Sequence, residues 1–442
     1  MTTLEPRLQA LRDRTLRLHP ADAAELLRDL PDQDLAQVLA SLPPPQAGLV
    51  LEALGPERVE PVLPLLGVER ASDLLEEMSS DEAADLLSEL GPEAAGRLLA
   101  TMAPPEAGRV LPLLPYREGT AGALMATEVV TLPQGITAGE ALEVLRRRAP
   151  DAETIYYVYV VDAQGRLVGV LSLRDLILAD PDRAIDEITN DRVIAVRADE
   201  DQEAVARLFD RYGLLALPVV DGERRLLGVV TLDDVLDVLE EEAEEDILKL
   251  SGVGEDAARV EGEELRTDRM ALLRLPWLLL AVLIELVGAR VIEGFAGALR
   301  TLVAIAYFIP VLNSMAGNLG IQTVALVVRG YARGEIAPER LPALLLREVA
   351  VAAVIAAASA ALVAGVALGW QGVPTLALIT GIAMAVALLI AAAAGMTIPL
   401  LLIRAGRDPA VASGPLVTSL LDLSTVTVYL TVAALVLSRA GE

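Results

Sequence analysis

Apolar residues follow three different rhythms along the chain, and each rhythm predicts a different structure. Over residues 20–115, paired Leu and Val recur about every dozen residues, as in HPADAAELLRDL, DQDLAQVLASL, SSDEAADLLSEL, GPEAAGRLLATM and APPEAGRVLPLL. Each unit opens with Pro, Ser, Asp or Gly, continues with acids and ends apolar. That order suits a short helix. Proline is tolerated in the first turn, acids favour the positive end of the helix dipole, and the apolar residues share one face. Short helices in series make a small solenoid, whose plainest role is a scaffold or interaction surface.

From 120 to 246 the rhythm changes to strands alternating with helices. YYVYVVD is followed by GRLVGVLSLRDLIL, and later LLALPVVD is followed by RLLGVVTLDDVLDVL. The second copy echoes the first, and together they resemble a tandem pair of CBS domains. The resemblance implies a regulatory disc that dimerises and, in some members, binds adenine nucleotides. The residues it offers for a nucleotide, possible ATP included, are Arg174, Asp175 and Thr231, with Asp234 in the place equivalent to Asp175. The alternative is purely structural: Ser172 and Thr231 cap helices, with an acid in each first turn.

The third rhythm is continuous. Five apolar segments, near 273–294, 302–328, 347–369, 374–403 and 411–437, each approach or exceed the ~20 residues needed to span a bilayer. Gly, Pro and Asn interrupt the second, which is tolerable where it lines a cavity or a protein interior. Arg266, Arg269 and Arg274 precede the first span; Arg329, Arg333, Arg340 and Arg347 flank the second loop; Arg404 and Arg407 lie in the fourth. The positive-inside rule then puts the N-terminal part in the cytoplasm and the C-terminus outside, with Arg290 and Arg300 as mild exceptions.

Charge sharpens this division. The net charge of -27 is uneven: residues 1–270 carry a net of -29 and the rest a net of +2. Such an acidic surface attracts cations and repels nucleic acid. VLEEEAEEDILKL concentrates six acids between Glu240 and Asp246, a crowding that bound cations would relieve. There is no Cys, and His19 is the single histidine, so zinc sites of the Cys/His type, an HExxH helix and disulfides are excluded. No nucleophile–base constellation marks an enzyme. The start, MTTLEPRLQALRDR, is charged and does not read as a signal peptide, so insertion is expected to use the later spans.

Acids inside a membrane are rare and expensive, which makes each a functional candidate. Asp422 lies within the last span, in TSLLDLSTVTVY, with Thr418, Ser419, Thr425 and Thr427 nearby and no basic residue in the span to neutralise it. It must protonate, find hydrogen bonds or bind a cation. Glu285 in the first span could face the same pathway, with Arg290 close enough along the helix for a partial pairing. In the second span, IPVLNSMAGNLGIQT, Pro310 is expected to break the helix ladder, and Gly317 and Gly320 permit close backbone approach. Asn313, Asn318 and Gln322 supply neutral oxygens able to face the waters of a hydrated divalent ion; the alternative is helix packing through small residues.

RLPWLL at 274–279, the stretch from Pro310 to Gln322, DPA at 408–410 and GPLVTSLLD ending at Asp422 together resemble the MgtE family of magnesium channels, over nearly the whole chain. The resemblance implies a multidomain protein: an all-α short-helix solenoid (1–119), an α/β tandem CBS pair (120–246), a connecting, plug-type helix (247–270) and a polytopic α-helical membrane domain with five spans (271–442). It implies a homodimer in the inner membrane, with Mg2+ as both permeant and regulatory ion and Asp422 at the pore axis. Asp234, Asp237, Glu242, Glu245 and Asp246 become regulatory metal candidates, with Glu203 and Asp408 beside them. The chain departs from the family pattern at Ile321 and Gly414, which lie near the pore and bear on ion selectivity, and at Gly213, which removes one sensor contact. The runner-up functions are a CBS-regulated transporter of another divalent ion, such as cobalt, nickel or manganese, and a nucleotide-sensing membrane transporter.

Overall fold

A computed structural model describes residues 5–149, 152–250, 267–332, 341–405, 409 and 415–440. The chain forms two compact units, Met1–Leu239 and Glu240–Glu442.

The first unit opens with ten short helices: α1 (Pro6–Thr15), α2 (Pro20–Arg28), α3 (Asp32–Ser41), α4 (Pro44–Leu54), α5 (Pro56–Val59), α6 (Leu63–Leu66), α7 (Val68–Leu75), α8 (Ser80–Glu89), α9 (Pro92–Thr101) and α10 (Pro104–Val110). They follow the dozen-residue repeat. Proline occupies the first turn of α2, α4, α9 and α10, where its missing N–H costs nothing. The Leu pairs point inward: Leu27, Leu35, Leu39, Leu51, Leu74 and Leu87 are buried.

Two copies of a small α/β module follow. The first comprises β1 (Thr131–Pro133), α11 (Ala138–Arg148), β2 (Tyr157–Val161), β3 (Leu167–Ser172) and α12 (Leu173–Leu178). The second comprises β4 (Val196–Arg197), α13 (Gln202–Tyr212), β5 (Ala216–Val220), β6 (Leu226–Thr231) and α14 (Leu232–Leu250). Each sheet has three strands in sequence order, a parallel pair and then an antiparallel pair. Each antiparallel pair shifts register at the same place, Val160/Val161 in one and Val219/Val220 in the other. The copies are stitched together: the Leu167 amide donates to the Arg224 carbonyl and the Leu226 amide to the Gly165 carbonyl. Gly213 ends α13 in the left-handed conformation (φ 62°, ψ 43°), which a residue with a Cβ adopts at a cost.

The helical repeats do not stand apart from this module. Leu74, Leu86, Leu98 and Leu113 belong to one continuous core with Phe209, Leu217, Val230 and Val235 of the second copy. The first copy keeps a core of its own around Leu132, Val158 and Leu171. Docking the repeats therefore buries their apolar face against the second copy, and this places acids of both parts side by side.

The second unit holds the long helices α15 (Thr267–Gly294), α17 (Ile309–Ala332), α18 (Leu341–Gln371), α19 (Pro374–Arg404) and α20 (Pro415–Ala440), with a short α16 (Ala296–Thr301). Among the described residues five stretches are long and apolar enough to cross a membrane: Arg274–Gly294, Val303–Tyr331, Leu344–Gln371, Pro374–Arg404 and Val417–Arg439. The second span is irregular as expected: it opens with a 3₁₀ segment, Val303–Phe308, that gives way to α17, and Pro310 sits in the first turn of α17, where the helix needs no amide from it. The Tyr429 hydroxyl donates to the Ile305 carbonyl at 2.9 Å, anchoring α20 to this irregular segment. The 247–270 connecting helix lies mostly outside the described residues, as does Asp408.

Candidate functional site

The membrane site is built by three helices crossing through glycine. Gly395 of α19 faces Gly320 of α17 so closely that a Cβ on Gly395 would meet the Gly320 carbonyl oxygen at 2.7 Å and Thr323 Cβ at 3.1 Å. The Leu421 side chain of α20 fills the space where Gly320 would carry a Cβ. A Cβ on Gly317 would touch Thr418 Cγ2 at 3.7 Å. Small residues thus let α20 lie against α17 and α19 at the level of Leu421, immediately before Asp422.

Asp422 is half-buried in the single chain. Its hydroxyl neighbours are largely committed elsewhere. Ser424 donates to the Leu421 carbonyl at 2.8 Å and Thr427 to the Leu423 carbonyl at 2.7 Å, while Ser419 and Thr425 are buried. Glu285 of α15 is the charged neighbour of Asp422. A Cβ added to Gly288 would lie within 4 Å of both Glu285 Oε2 and Leu423 Cδ1, so α15 passes close to α20 at this level. Arg290 does not pair with Glu285 as the spacing suggested; it binds the Glu293 carboxylate one turn further on. Asn318 and Gln322 are exposed on α17, whereas the Asn313 side-chain oxygen is enclosed and accepts no hydrogen bond.

One intramembrane acid escaped the sequence reading. Glu348 of α18 accepts a hydrogen bond from Thr323 Oγ1 at 3.2 Å. An acid four residues into an apolar run was the available signal, masked by Arg347 beside it.

The soluble site lies where the repeats meet the second α/β copy. Asp234 of α14 uses one oxygen to accept hydrogen bonds from the Thr231 amide (2.8 Å) and hydroxyl (2.7 Å). Around it stand Asp81 and Glu82 of α8, Glu52 of α4, Glu153 before β2, and Asp233 and Asp237 of α14. Asp81 is 6% exposed, and its Oδ1 has no hydrogen-bond partner. Burial, then Asp234, Glu153 and Glu82, push its carboxyl well above the usual range. Glu82 is pushed up to about 8 by burial and then by Asp85, and Glu153 to about 7 by the protein around it and then by Asp234. Burial also raises Asp234 and Glu52, against the hydrogen bonds that Thr231 and Ser79 give them. A buried cluster of like charge with an unsatisfied oxygen fits a cation. Among the described residues no group of three or more acids is placed to hold a metal ion directly.

Of the predicted regulatory acids, Asp234 and Asp237 stand in this cluster. Glu203 is paired with Arg207 at 2.8 Å, and Glu245 with Lys249. Glu242 is half-buried on α14, and the Asp246 side chain is outside the described residues. Asp81, Glu82, Glu52 and Glu153 were missed. In sequence, Asp81 and Glu82 read as ordinary first-turn acids. At the predicted nucleotide residues, the Ser172 hydroxyl donates to Asp175 at 2.6 Å and accepts from its amide, a helix cap; Arg174 is exposed.

Comparison with known proteins agrees with this architecture. Residues 309–432 match the divalent cation transporter model of MgtE, residues 18–119 the MgtE intracellular N domain, and residues 121–182 and 185–241 the CBS domain. The chain is 44% identical to the magnesium transporter MgtE of Thermus thermophilus over 322 residues, 73% of this chain and 71% of the relative. A crystal structure of the cytosolic domain of the Mg2+ channel MgtE in complex with ATP is 47% identical, with a TM-score of 0.50, covering 52% of this chain and 94% of that one. A crystal structure of the soluble part of a magnesium transporter is 39% identical, also with a TM-score of 0.50, covering 54% and 93%. With a relative this similar along most of both chains, the protein belongs to the MgtE family, whose members are multi-pass membrane transporters and not enzymes.

Proposed function

We propose that this protein conducts magnesium across the membrane as a homodimer, through a pore lined by Asp422, and that magnesium binding to its cytoplasmic acids closes that pore. The observation that carries the pore is the close crossing of α17 and α20, which brings Gly317 and Gly320 against Thr418 and Leu421 and so fixes Asp422. One Asp422 carries one negative charge; two around a two-fold axis match a divalent ion. The first span supports a partner: only 6% of it is buried within the chain, yet it carries Glu285, a carboxylate that lipid would not tolerate. Asn318 and Gln322, exposed on α17, supply oxygens for the waters that magnesium retains.

Gating rests on the acid cluster. Asp81 and Glu82 of the helical repeats face Asp234 and Asp237 of the second CBS copy, and repulsion between them opposes docking until cations intervene. Ions that bind the docked form better shift the population toward it. The soluble unit faces the cytoplasm, in keeping with Arg274, Arg329, Arg347 and Arg404 at the span ends on one side. A division into 1–119, 120–246, 247–270 and 271–442, as the family resemblance implies, goes with this function. A related cytosolic domain is in complex with ATP, and the CBS pair here would take a nucleotide near Arg174, Asp175 and Thr231.

The test is ion flux into proteoliposomes with the full chain, offered magnesium, cobalt, nickel and manganese in turn. Magnesium uptake that Asp422→Ala abolishes, at unchanged dimer size, is expected. Uptake of another ion in preference to magnesium would move the assignment to that metal, and unchanged uptake in the Asp422→Ala protein would remove Asp422 from the pore.

A further inference from the structure

Glu348 lies in an apolar span, where a carboxylate is costly and calls for an explanation by its contacts. Its partner is Thr323 Oγ1, at 3.2 Å. Thr323 is 1% exposed and sits on α17 one turn beyond Gly320. Its Cβ would be met at 3.1 Å by any side chain added to Gly395, so Thr323 forms one wall of the α17–α19 crossing. At the same crossing, Gly320 receives the Leu421 side chain. The contacts therefore run without a gap from Glu348 on α18 to Thr323 and Gly320 on α17 and on to Leu421, the residue before Asp422.

A helix that packs through glycine has a smooth surface and few side chains to set its rotation. Hydrogen bonds between membrane helices supply that registration. A carboxylate acceptor makes a stronger hydrogen bond than a neutral one, and an apolar surrounding offers the Thr323 hydroxyl little competition.

We infer that Glu348 is a positioning residue for the pore: by holding Thr323 it sets the rotation of α17 against α20, and with it the placement of Asp422. This rests on the pore reading of Asp422. Glu348 itself touches no permeant ion.

The test measures magnesium block of monovalent current through the full-length channel in planar bilayers. Asp422→Ala, Glu348→Ala, Glu348→Gln, Thr323→Val and Thr323→Ser are compared with the unaltered protein. Thr323→Val and Glu348→Ala are each expected to raise the half-blocking magnesium concentration by about tenfold or more, the factor a single hydrogen bond to a charged group carries. Their combination should raise it no further, because both remove one bond. Thr323→Ser and Glu348→Gln, which keep a donor and an acceptor, should return it close to the original value. Should Glu348→Ala fail to fold, Thr323→Val against Thr323→Ser decides the question. Half-block unchanged in Thr323→Val, or additive effects in the double variant, would overturn the inference while Asp422→Ala still weakens block. Block unchanged in Asp422→Ala would overturn the pore reading and this inference with it.

Discussion

The carbonyl oxygen of Gly320 lies so close to Gly395 that a methyl group on Gly395 would meet it at 2.7 Å. A backbone atom cannot swing aside as a side chain can, so Gly395→Ala must push α17 and α19 apart. The expected cost is about 1–3 kcal/mol, typical of overpacking. Gly365 on α18 has nothing within 4 Å of an added Cβ, so Gly365→Ala should be neutral or slightly stabilising. Thermal unfolding of both variants in detergent, with magnesium uptake alongside, checks the contrast. Equal behaviour of the two would mean that the crossing is loose.

The acid cluster predicts an unusual pH dependence. Glu82 and Glu153 titrate near 8 and 7 when folded, above the ordinary carboxylate range. A carboxyl whose folded pKa is raised favours the folded state while protonated. Its contribution is complete below the ordinary range and is lost as pH rises through about 7 to 8. In chelator, the melting temperature of the full-length protein should therefore fall by several degrees between about pH 5 and about pH 9. Magnesium should remove most of that slope. A flat profile in chelator would show that these acids are not held together in solution.

Removing ligand capacity should blunt the response to magnesium. Asp81→Asn combined with Asp234→Asn keeps the size of both side chains but takes two charges from the cluster. The rise in melting temperature on adding magnesium should shrink by at least half, since ligand-linked stabilisation scales with affinity for the folded form. Glu203→Gln, at a residue already paired with Arg207, should leave it unchanged. A full response in the double variant would separate the cluster from magnesium.

Glu285 adds a second negative charge near Asp422, and its expected effect is on affinity more than on flux. Glu285→Gln should raise the magnesium concentration for half-block about three- to tenfold, the factor of a partly screened charge at close range. Asp422→Ala should abolish block altogether. Unchanged block in Glu285→Gln would place its carboxylate outside the permeation path.

The large features were legible because they follow from periodicity. The Leu pairs of the repeats, the echo of VVD and GRLVGV in RRLLGV, and five apolar runs each specify an element with little help from its neighbours. What stayed hidden depends on which elements meet. Asp81 reads as a first-turn acid and acquires its character only when the repeats dock on the second CBS copy. Glu348 reads as the flank of a loop until Thr323 is seen beside it. Glu245 and Glu203 carry a counter-charge that local spacing could have revealed: their helices supply Lys249 and Arg207 one turn away.

The matched register shifts at Val160/Val161 and Val219/Val220 show that the two CBS copies share one architectural template, down to its irregularity. Yet the same cap has gone two ways. In the first copy, Ser172 and Asp175 are engaged only with each other, at the surface. In the second, Thr231 and Asp234 are the same pairing turned toward a docking neighbour, where the spare oxygen of Asp234 meets a crowd of other acids. A duplicated module is freed from having to do everything twice. Here the cap of one twin serves its own helix alone, and that of the other faces the docked repeats, where the proposed sensing of magnesium would act.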